Sequence, residues 1–154
     1  MVLFSQNQTG IGVIVRNNNG QVIDSLSQQL NQAYKSIEVE VMAAIRVLEF
    51  AAELGLDGVV VEDDSSIVMN GLKTKEPSLS SYGLLISNAC VFHNLFSELS
   101  NSHVKSEGNQ IAHYLAKLVV NYLDNVIWIT TKKKPISDQK FMTDPKSPLK
   151  KSYL

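Results

Sequence analysis

An Asn-Gly turn between two strand-like segments is the feature that most constrains how this chain can fold. Residues 11–16 read Ile-Gly-Val-Ile-Val-Arg, which is typical of a strand because β-branched side chains pack well on a pleated surface. Residues 17–20 read Asn-Asn-Asn-Gly, and Asn-Gly favours the positive φ angles of a tight hairpin turn. In residues 21–30 the side chains of Val22, Asp24, Leu26 and Gln28 would share one face of a strand, so both faces carry polar residues. We therefore expect this segment to return as an exposed edge strand. The sequence therefore predicts an antiparallel hairpin.

The patterns after the hairpin predict a helix and then a buried strand. Apolar residues at 3.6-residue spacing indicate a helix from Ser36, as its N-cap, to about Leu54, before Gly55. The predicted buried stripe of this helix is formed by Ile37, Val41, Ala44, Ile45, Leu48, Ala51 and Ala52. Residues 58–62, Gly-Val-Val-Val-Glu, form the short apolar run that is typical of a parallel strand. The later predicted elements are helices at 66–73 and 81–95, a weaker strand at 97–104, and a helix opening at Asn109. The predicted buried side of this last helix carries Ile111, Leu115, Leu118 and Val119. A hairpin followed by a strand–helix–strand unit predicts an α/β fold with a mixed sheet covered by helices.

Length and residue usage narrow the class of protein. A chain of 154 residues is long enough for one domain with a sizeable core. Its single cysteine, Cys90, excludes an internal disulfide and a cysteine-rich zinc site, and we expect it to be an inert packing residue. No apolar run approaches the roughly 18–20 residues that span a membrane, and residues 1–6 lack the features of a signal peptide. We therefore expect an intracellular protein, nuclear or cytoplasmic, that is not secreted.

Charge divides the chain into two parts. Residues 1–131 carry 7 basic and 13 acidic side chains, a net charge of −6, whereas residues 132–154 carry 7 lysines and 2 aspartates, a net charge of +5. We predict a domain at 1–131 and a basic, flexible tail at 132–154. The Lys-Lys-Lys run at 132–134 could bind phosphates or a nuclear import receptor, or be a solvated tail. An acidic body is a poor electrostatic match for a polyanion, because nucleic-acid affinity comes largely from phosphate neutralisation.

Four segments, in this order, carry a family resemblance: residues 10–20, residues 38–44 (Glu-Val-Glu-Val-Met-Ala-Ala), residues 61–65 (Val-Glu-Asp-Asp-Ser) and residues 103–113 (His-Val-Lys-Ser-Glu-Gly-Asn-Gln-Ile-Ala-His). Together they resemble the hairpin, first long helix, strand-end Gly-Asp-Ser motif and closing segment of ribonuclease H-like domains. The Ala-His ending is similar to the plant subgroup described as reverse-transcriptase-like. The resemblance spans roughly residues 1–135 and implies a ribonuclease H-like mixed sheet, flanked by helices, whose first strand is truncated here.

The resemblance also implies a site. Members of the family hydrolyse the RNA strand of RNA–DNA hybrids with two Mg²⁺ ions, which prefer oxygen ligands. Carried over by position, Glu40 and Asp64 are the expected catalytic and metal-binding carboxylates, and His113 falls on the fourth acidic position of the site. Asn109 is expected to contact nucleic acid, or simply to cap the helix it opens.

The same alignment shows two departures from the family pattern. The family's first carboxylate lies on a strand before the hairpin, and no residue of this sequence aligns with it. His113 adds no negative charge at the fourth position, so two of four carboxylates remain. We therefore expect weak or lost hydrolysis. Asp63, in place of the motif's glycine, is expected to be an exposed neighbour of Asp64, and His93 and His103 are expected to be structural.

A truncated first strand leaves other roles open. Either residues 2–5 form a stub strand, or the tail or a second chain pairs with the edges of the predicted strands at 11–16 and 58–62. A further alternative, which we favour, is that the sequence is a fragment whose natural start lies upstream. Unpaired strand edges predict self-association. The alternatives to a nucleic-acid-binding domain are a non-catalytic interaction module and a mobile-element relic.

Overall fold

The computed structural model describes residues 2–5, 8–30, 34–74, 80, 82–121 and 126–130. At residues 2–5, 93 and 126–130 it describes the backbone only. The predicted tail at 132–154 lies outside the described residues. The elements follow in this order: β1 (Val2–Ser5), β2 (Gln8–Arg16), β3 (Val22–Leu30), α1 (Ser36–Glu53), β4 (Gly58–Asp63), α2 (Ser66–Thr74), α3 (Gly83–Val91), β5 (Glu98–His103), α4 (Gln110–Asn121) and β6 (Val126–Thr130). Short 3₁₀ helices lie at Phe92–Leu95 and Ser106–Asn109. No described helix is both long and apolar enough to span a bilayer.

The predicted hairpin is confirmed, and its turn is held by a side chain. β2 and β3 pair antiparallel with Val13 opposite Leu26. The Oδ1 atom of Asn17 accepts hydrogen bonds from the backbone N–H groups of Asn19 and Gln21, both at 3.0 Å. Gly20 has a φ of 74°, a value that a residue without Cβ adopts at little cost.

β3 is not the exposed edge strand that its sequence predicts. β6 pairs antiparallel with its other side, with Leu26 opposite Trp128, and the sheet order is β1-β2-β3-β6. Ser25 and Ser27 are buried, and the hydroxyl of Ser27 donates a hydrogen bond to the backbone oxygen of Leu115 in α4. The prediction was wrong because the Val-Ile-Trp-Ile-Thr segment at 126–130, which is rich in β-branched residues, forms a further strand beside β3.

The remaining strands have the arrangement that the mixed-sheet prediction requires. β4 and β5 pair in parallel, with Val61 opposite Asn101. β1 is a four-residue strand that pairs antiparallel with the start of β2, so residues 2–5 form the stub strand that is one of the predicted alternatives. The fold therefore combines an antiparallel sheet and a parallel pair, and helices cover both.

Helix α1 lies between two apolar cores rather than presenting one buried stripe. Val41, Ala44 and Leu48 pack with α2 and α3, as the predicted stripe implies. Ala43 and Phe50, outside that stripe, pack against β2 and β3. The N-cap of the helix also lies one residue earlier than predicted. Lys35, not Ser36, is its N-cap, and Oε2 of Glu38 accepts a 3.1 Å hydrogen bond from the Lys35 backbone N–H.

Helix α4 packs on the antiparallel sheet through small residues. A Cβ on Gly10 would collide with the backbone oxygen of Ala116, and one on Gly12 with that of Ala112, so only glycine permits this close approach. Ala112 and Ala116 are buried, whereas Ile111, predicted on the buried side, is 45% exposed. The prediction was wrong because hydrophobicity favoured the larger residue, while the glycines select the smaller ones.

Candidate functional site

Three carboxylates meet where the first long helix passes the end of β4. Glu40 lies in the second turn of α1, Asp63 is the last residue of β4, and Asp64 follows it. One oxygen from each lies within 4.8 Å of the others. The structure thus brings together Glu40 and Asp64, which the sequence resemblance selects, and adds Asp63.

Asp63 is not the exposed neighbour expected from the sequence. It is 6% exposed, because alternation along β4 turns Val61 and Asp63 inward and Glu62 outward. Its Oδ1 accepts a 2.7 Å hydrogen bond from the backbone N–H of Ser65. Burial raises the pKa of Asp63, and the charge of Asp64 adds to that effect. The period of two in the strand was the sequence signal that could have found it.

Asp64 is held by the closing segment of the domain. Nδ2 of Asn109 donates a 3.0 Å hydrogen bond to its Oδ1, and Nε2 of His113 lies 3.5 Å from its Oδ2. Burial acts to raise the pKa of Asp64, but hydrogen bonds from Asn109 and Ser106 and the charge of His113 outweigh it and hold this pKa below its ordinary value. Asp64 is therefore ionised at neutral pH.

Two histidines lie against Asp64. Nε2 of His103 is 3.2 Å from the backbone oxygen of Asp64, which fits a structural contact between β5 and the end of β4. Burial lowers the pKa of His113, although the neighbouring Asp64 opposes the shift. His113 is therefore mainly neutral at pH 7. Its Nδ1 is buried and has no hydrogen-bond partner among the described residues.

Glu40 is the least satisfied member of the centre. Its Oε2 is buried and finds no hydrogen-bond partner within the described part of the chain. Burial, followed by the charges of Asp63 and Asp64, raises the pKa of Glu40 to about 7. The carboxylate opens on a cleft of about 280 Å³, lined by Ser36, Ile37, Glu40, Asp64, Ser65 and Ile67.

The donor set suits a hard divalent cation. Three carboxylates in one place repel each other when ionised, and among the described residues none forms an ion pair with lysine or arginine. Carboxylate oxygens are the ligands that Mg²⁺, Ca²⁺ and Mn²⁺ prefer. The unpartnered Oε2 of Glu40 has the place and chemistry of a metal-ligand atom.

The fold is that of ribonuclease H-like domains. The structure of RNase H1 from the halophilic archaeon Halobacterium salinarum NRC-1 matches with a TM-score of 0.71 at 21% identity, covering 78% of this chain and 92% of that one. The N-terminal RNase H domain of Rv2228c from Mycobacterium tuberculosis, in a fusion with maltose binding protein, matches with a TM-score of 0.67 at 21% identity, covering 75% and 84%. LC11-RNase H1 in complex with RNA/DNA hybrid matches with a TM-score of 0.68 at 19% identity, covering 78% and 92%.

The sequence itself identifies the family. Residues 1–119 match the family model described as reverse transcriptase-like, and the chain belongs to this family. No protein with a curated description matches the chain in sequence. The resemblance to ribonuclease H-like domains is therefore confirmed, and its plant subgroup stays a prediction.

Proposed function

We propose that this chain is a nucleic-acid-binding domain that takes RNA–DNA hybrid, or RNA, at the Glu40–Asp64 centre, and that its hydrolysis of the RNA strand is weak or lost. One observation carries the proposal. The carboxylates from α1 and from the end of β4 lie within 4.8 Å of one another beside an open cleft. The shared fold adds support, since one of the similar structures is a ribonuclease H1 in complex with RNA/DNA hybrid.

Mg²⁺ is the proposed cofactor, with Glu40 and Asp64 as its ligands. A bound divalent cation would polarise a phosphoryl oxygen and lower the pKa of a bound water. Asp64 is ready to bind because it is ionised and fixed by Asn109. Glu40 has an unpartnered oxygen, so a cation replaces no existing hydrogen bond there.

The closing segment is proposed to orient the site and to contact the nucleic-acid backbone. The side-chain amide of Asn109 donates one hydrogen bond to Asp64. A side-chain amide has two donor hydrogens, so the second can reach a phosphate oxygen. His113, at the remaining catalytic position, stands beside Asp64 as a mainly neutral imidazole.

Two features support weak or lost hydrolysis. The family's fourth acidic position is taken in this sequence by His113, which is mainly neutral at pH 7 and adds no negative charge beside Glu40 and Asp64. The net charge of −6 on residues 1–131 also opposes the approach of a polyanion. Each 1.36 kcal/mol of lost transition-state stabilisation slows a reaction about tenfold, so a missing metal ligand is enough to suppress turnover.

The test is a paired binding and cleavage assay on a labelled RNA–DNA hybrid with Mg²⁺. We expect binding at about 50 mM salt that Glu40→Gln and Asp64→Asn weaken, with cleavage near background. Glu62→Gln is the matched control, because Glu62 adjoins Asp63 but is exposed on the other face of β4. Absence of binding would overturn the nucleic-acid proposal. Rapid cleavage, abolished by both site variants, would overturn the proposal of weak activity.

A second candidate is a non-catalytic interaction module that self-associates. The observation that favours it is the edge of β4 opposite β5, which pairs with no strand among the described residues. Val60 in the same strand is 62% exposed. Unpaired strand edges favour pairing with another chain. Sedimentation equilibrium tests this candidate: a concentration-dependent dimer favours it, and a monomer at all concentrations rules it out.

The proposal retains the domain division at 1–131 and the basic tail at 132–154. The tail supplies the positive charge that the acidic body lacks, which suits contact with phosphates. An intracellular location, nuclear or cytoplasmic, also remains part of the proposal, and the lone Cys90 supports it.

A further inference from the structure

Asp63 is a buried carboxylate that the family resemblance leaves without a role. The corresponding position of the strand-end motif is glycine, whereas here the side chain points inward and is 6% exposed. An ionised carboxylate moved from water into a protein interior costs several kcal/mol unless it is paired or coordinates a metal. A buried aspartate beside two further carboxylates therefore either keeps its proton or is compensated by a positive charge.

The local backbone explains how two consecutive aspartates reach one point. Neighbouring side chains of a strand face opposite ways, but β4 ends at Asp63. Oδ1 of Asp63 accepts the 2.7 Å hydrogen bond from Ser65, two residues on, which is an Asx turn. The chain bends there, and the carboxylates of Asp63 and Asp64 converge with that of Glu40 within 4.8 Å.

A second observation at the same point indicates a ligand. Oε2 of Glu40 is buried and has no hydrogen-bond partner among the described residues. Within the same part of the chain, no lysine or arginine forms an ion pair with Asp63. One cation between them would satisfy both the unpaired oxygen of Glu40 and the buried carboxylate of Asp63.

We infer that Asp63 is a third metal-binding ligand, which completes with Glu40 and Asp64 a three-carboxylate site for one hard divalent cation. This inference rests on the proposed cation site and deepens it, because it assigns a ligand that the resemblance does not. Two oxygens bound to one Mg²⁺ at about 2.1 Å lie at most about 4.2 Å apart, and a larger cation allows about 5 Å. The three carboxylates can therefore close on one ion with small movements.

The experiment measures cation affinity directly. Isothermal titration calorimetry with MgCl₂, and separately with MnCl₂, is applied to the full chain and to Asp63→Asn, which keeps the acceptor for the Ser65 amide but removes the charge. We expect the dissociation constant of Asp63→Asn to rise about tenfold or more. Glu62→Gln, which changes the exposed neighbour in the same strand, is expected to bind like the wild type. An unchanged constant in Asp63→Asn overturns the inference.

Folding is checked by circular dichroism and thermal melting. If Asp63→Asn does not melt cooperatively, Asp63→Ser takes its place, since it also offers an uncharged acceptor. We expect Mn²⁺ to raise the melting temperature of the wild type and to raise that of the Asp63 variant much less. Equal rises in both proteins count against the inference.

Hybrid binding, measured separately by fluorescence anisotropy, distinguishes the inference from the proposed function. Cation binding that needs Glu40 and Asp64 but not Asp63 overturns the inference and leaves the proposed site in place. Cation binding that needs Asp63, in a protein that does not bind hybrid, supports the inference and overturns the proposed function. A wild-type protein that binds neither cation at millimolar concentration overturns both.

Discussion

The side-chain amide of Asn109 donates a 3.0 Å hydrogen bond to Oδ1 of Asp64, across 45 positions of sequence. This bond joins the segment before α4 to the end of β4, and therefore links the sheet that α4 covers with the parallel strand pair. Helix α4 itself carries His113, whose Nε2 lies 3.5 Å from Oδ2 of Asp64. Asp64 is thus fixed on both oxygens before any ligand binds.

Asn109→Ala is expected to destabilise the fold by about 1 kcal/mol near neutral pH, because a hydrogen bond to an ionised, partly exposed carboxylate is lost. The folded-state pKa of Asp64 lies below its ordinary value, so this stabilisation is present above the unfolded pKa and is lost as pH falls through the folded one. Urea unfolding of both proteins at about pH 7 and about pH 3 checks the prediction. Asn94→Ala, in an exposed part of the 3₁₀ helix at Phe92–Leu95, is the control. A difference that persists unchanged at the lower pH would contradict this account.

Glu40→Gln is expected to stabilise the metal-free protein above neutral pH by about 1 kcal/mol, a value discounted for the partial exposure of the group. Burial raises the pKa of Glu40 to about 7, above its unfolded value. The folded protein therefore holds this proton longer, and wild-type stability falls as pH rises from about 4.5 through about 7. Thermal melts in EDTA at about pH 5 and about pH 8 measure the effect. The gain should appear only at the higher pH, and a loss of stability there would show that the ionised carboxylate has a partner.

Gly12→Ala is expected to destabilise the protein by about 1–3 kcal/mol through overpacking. The added Cβ would meet the backbone oxygen of Ala112, which belongs to α4 and cannot rotate away. Gly58→Ala, in β4 of the other sheet, is the matched control, because a Cβ there meets nothing within 4 Å. Chemical denaturation of the two variants gives the comparison. Equal stabilities would mean that α4 does not pack as closely on β2 as described.

Much of the fold followed from local patterns. The Asn-Gly turn predicted the hairpin, and apolar periodicity placed α1 and β4 to within a few residues. What failed depended on neighbours that a one-dimensional pattern does not contain. α1 buries a second face because it lies between two layers, and Ile111 is exposed because Gly10 and Gly12 admit only alanines beneath α4.

In the candidate site, too, the sequence predicted some features, while others depended on neighbours in three dimensions. The family motifs selected Glu40 and Asp64, and the fold brings these side chains together, although their roles stay predictions. The burial of Asp63 was missed because its charge favoured an exposed position, while its place two residues after Val61 turned it inward. The Asx turn that directs Asp63 and Asp64 to one point became visible only in three dimensions.

The most direct test of the account is whether a divalent cation at the Glu40–Asp64 centre supports binding of RNA–DNA hybrid. Fluorescence anisotropy of a labelled hybrid, titrated at about 50 mM salt with Mg²⁺ or with EDTA, measures this for the wild type, Glu40→Gln and Glu62→Gln. The account predicts Mg²⁺-dependent binding that Glu40→Gln weakens and Glu62→Gln leaves unchanged. Binding that is equal in all three proteins and insensitive to EDTA would contradict it, as would no binding at all.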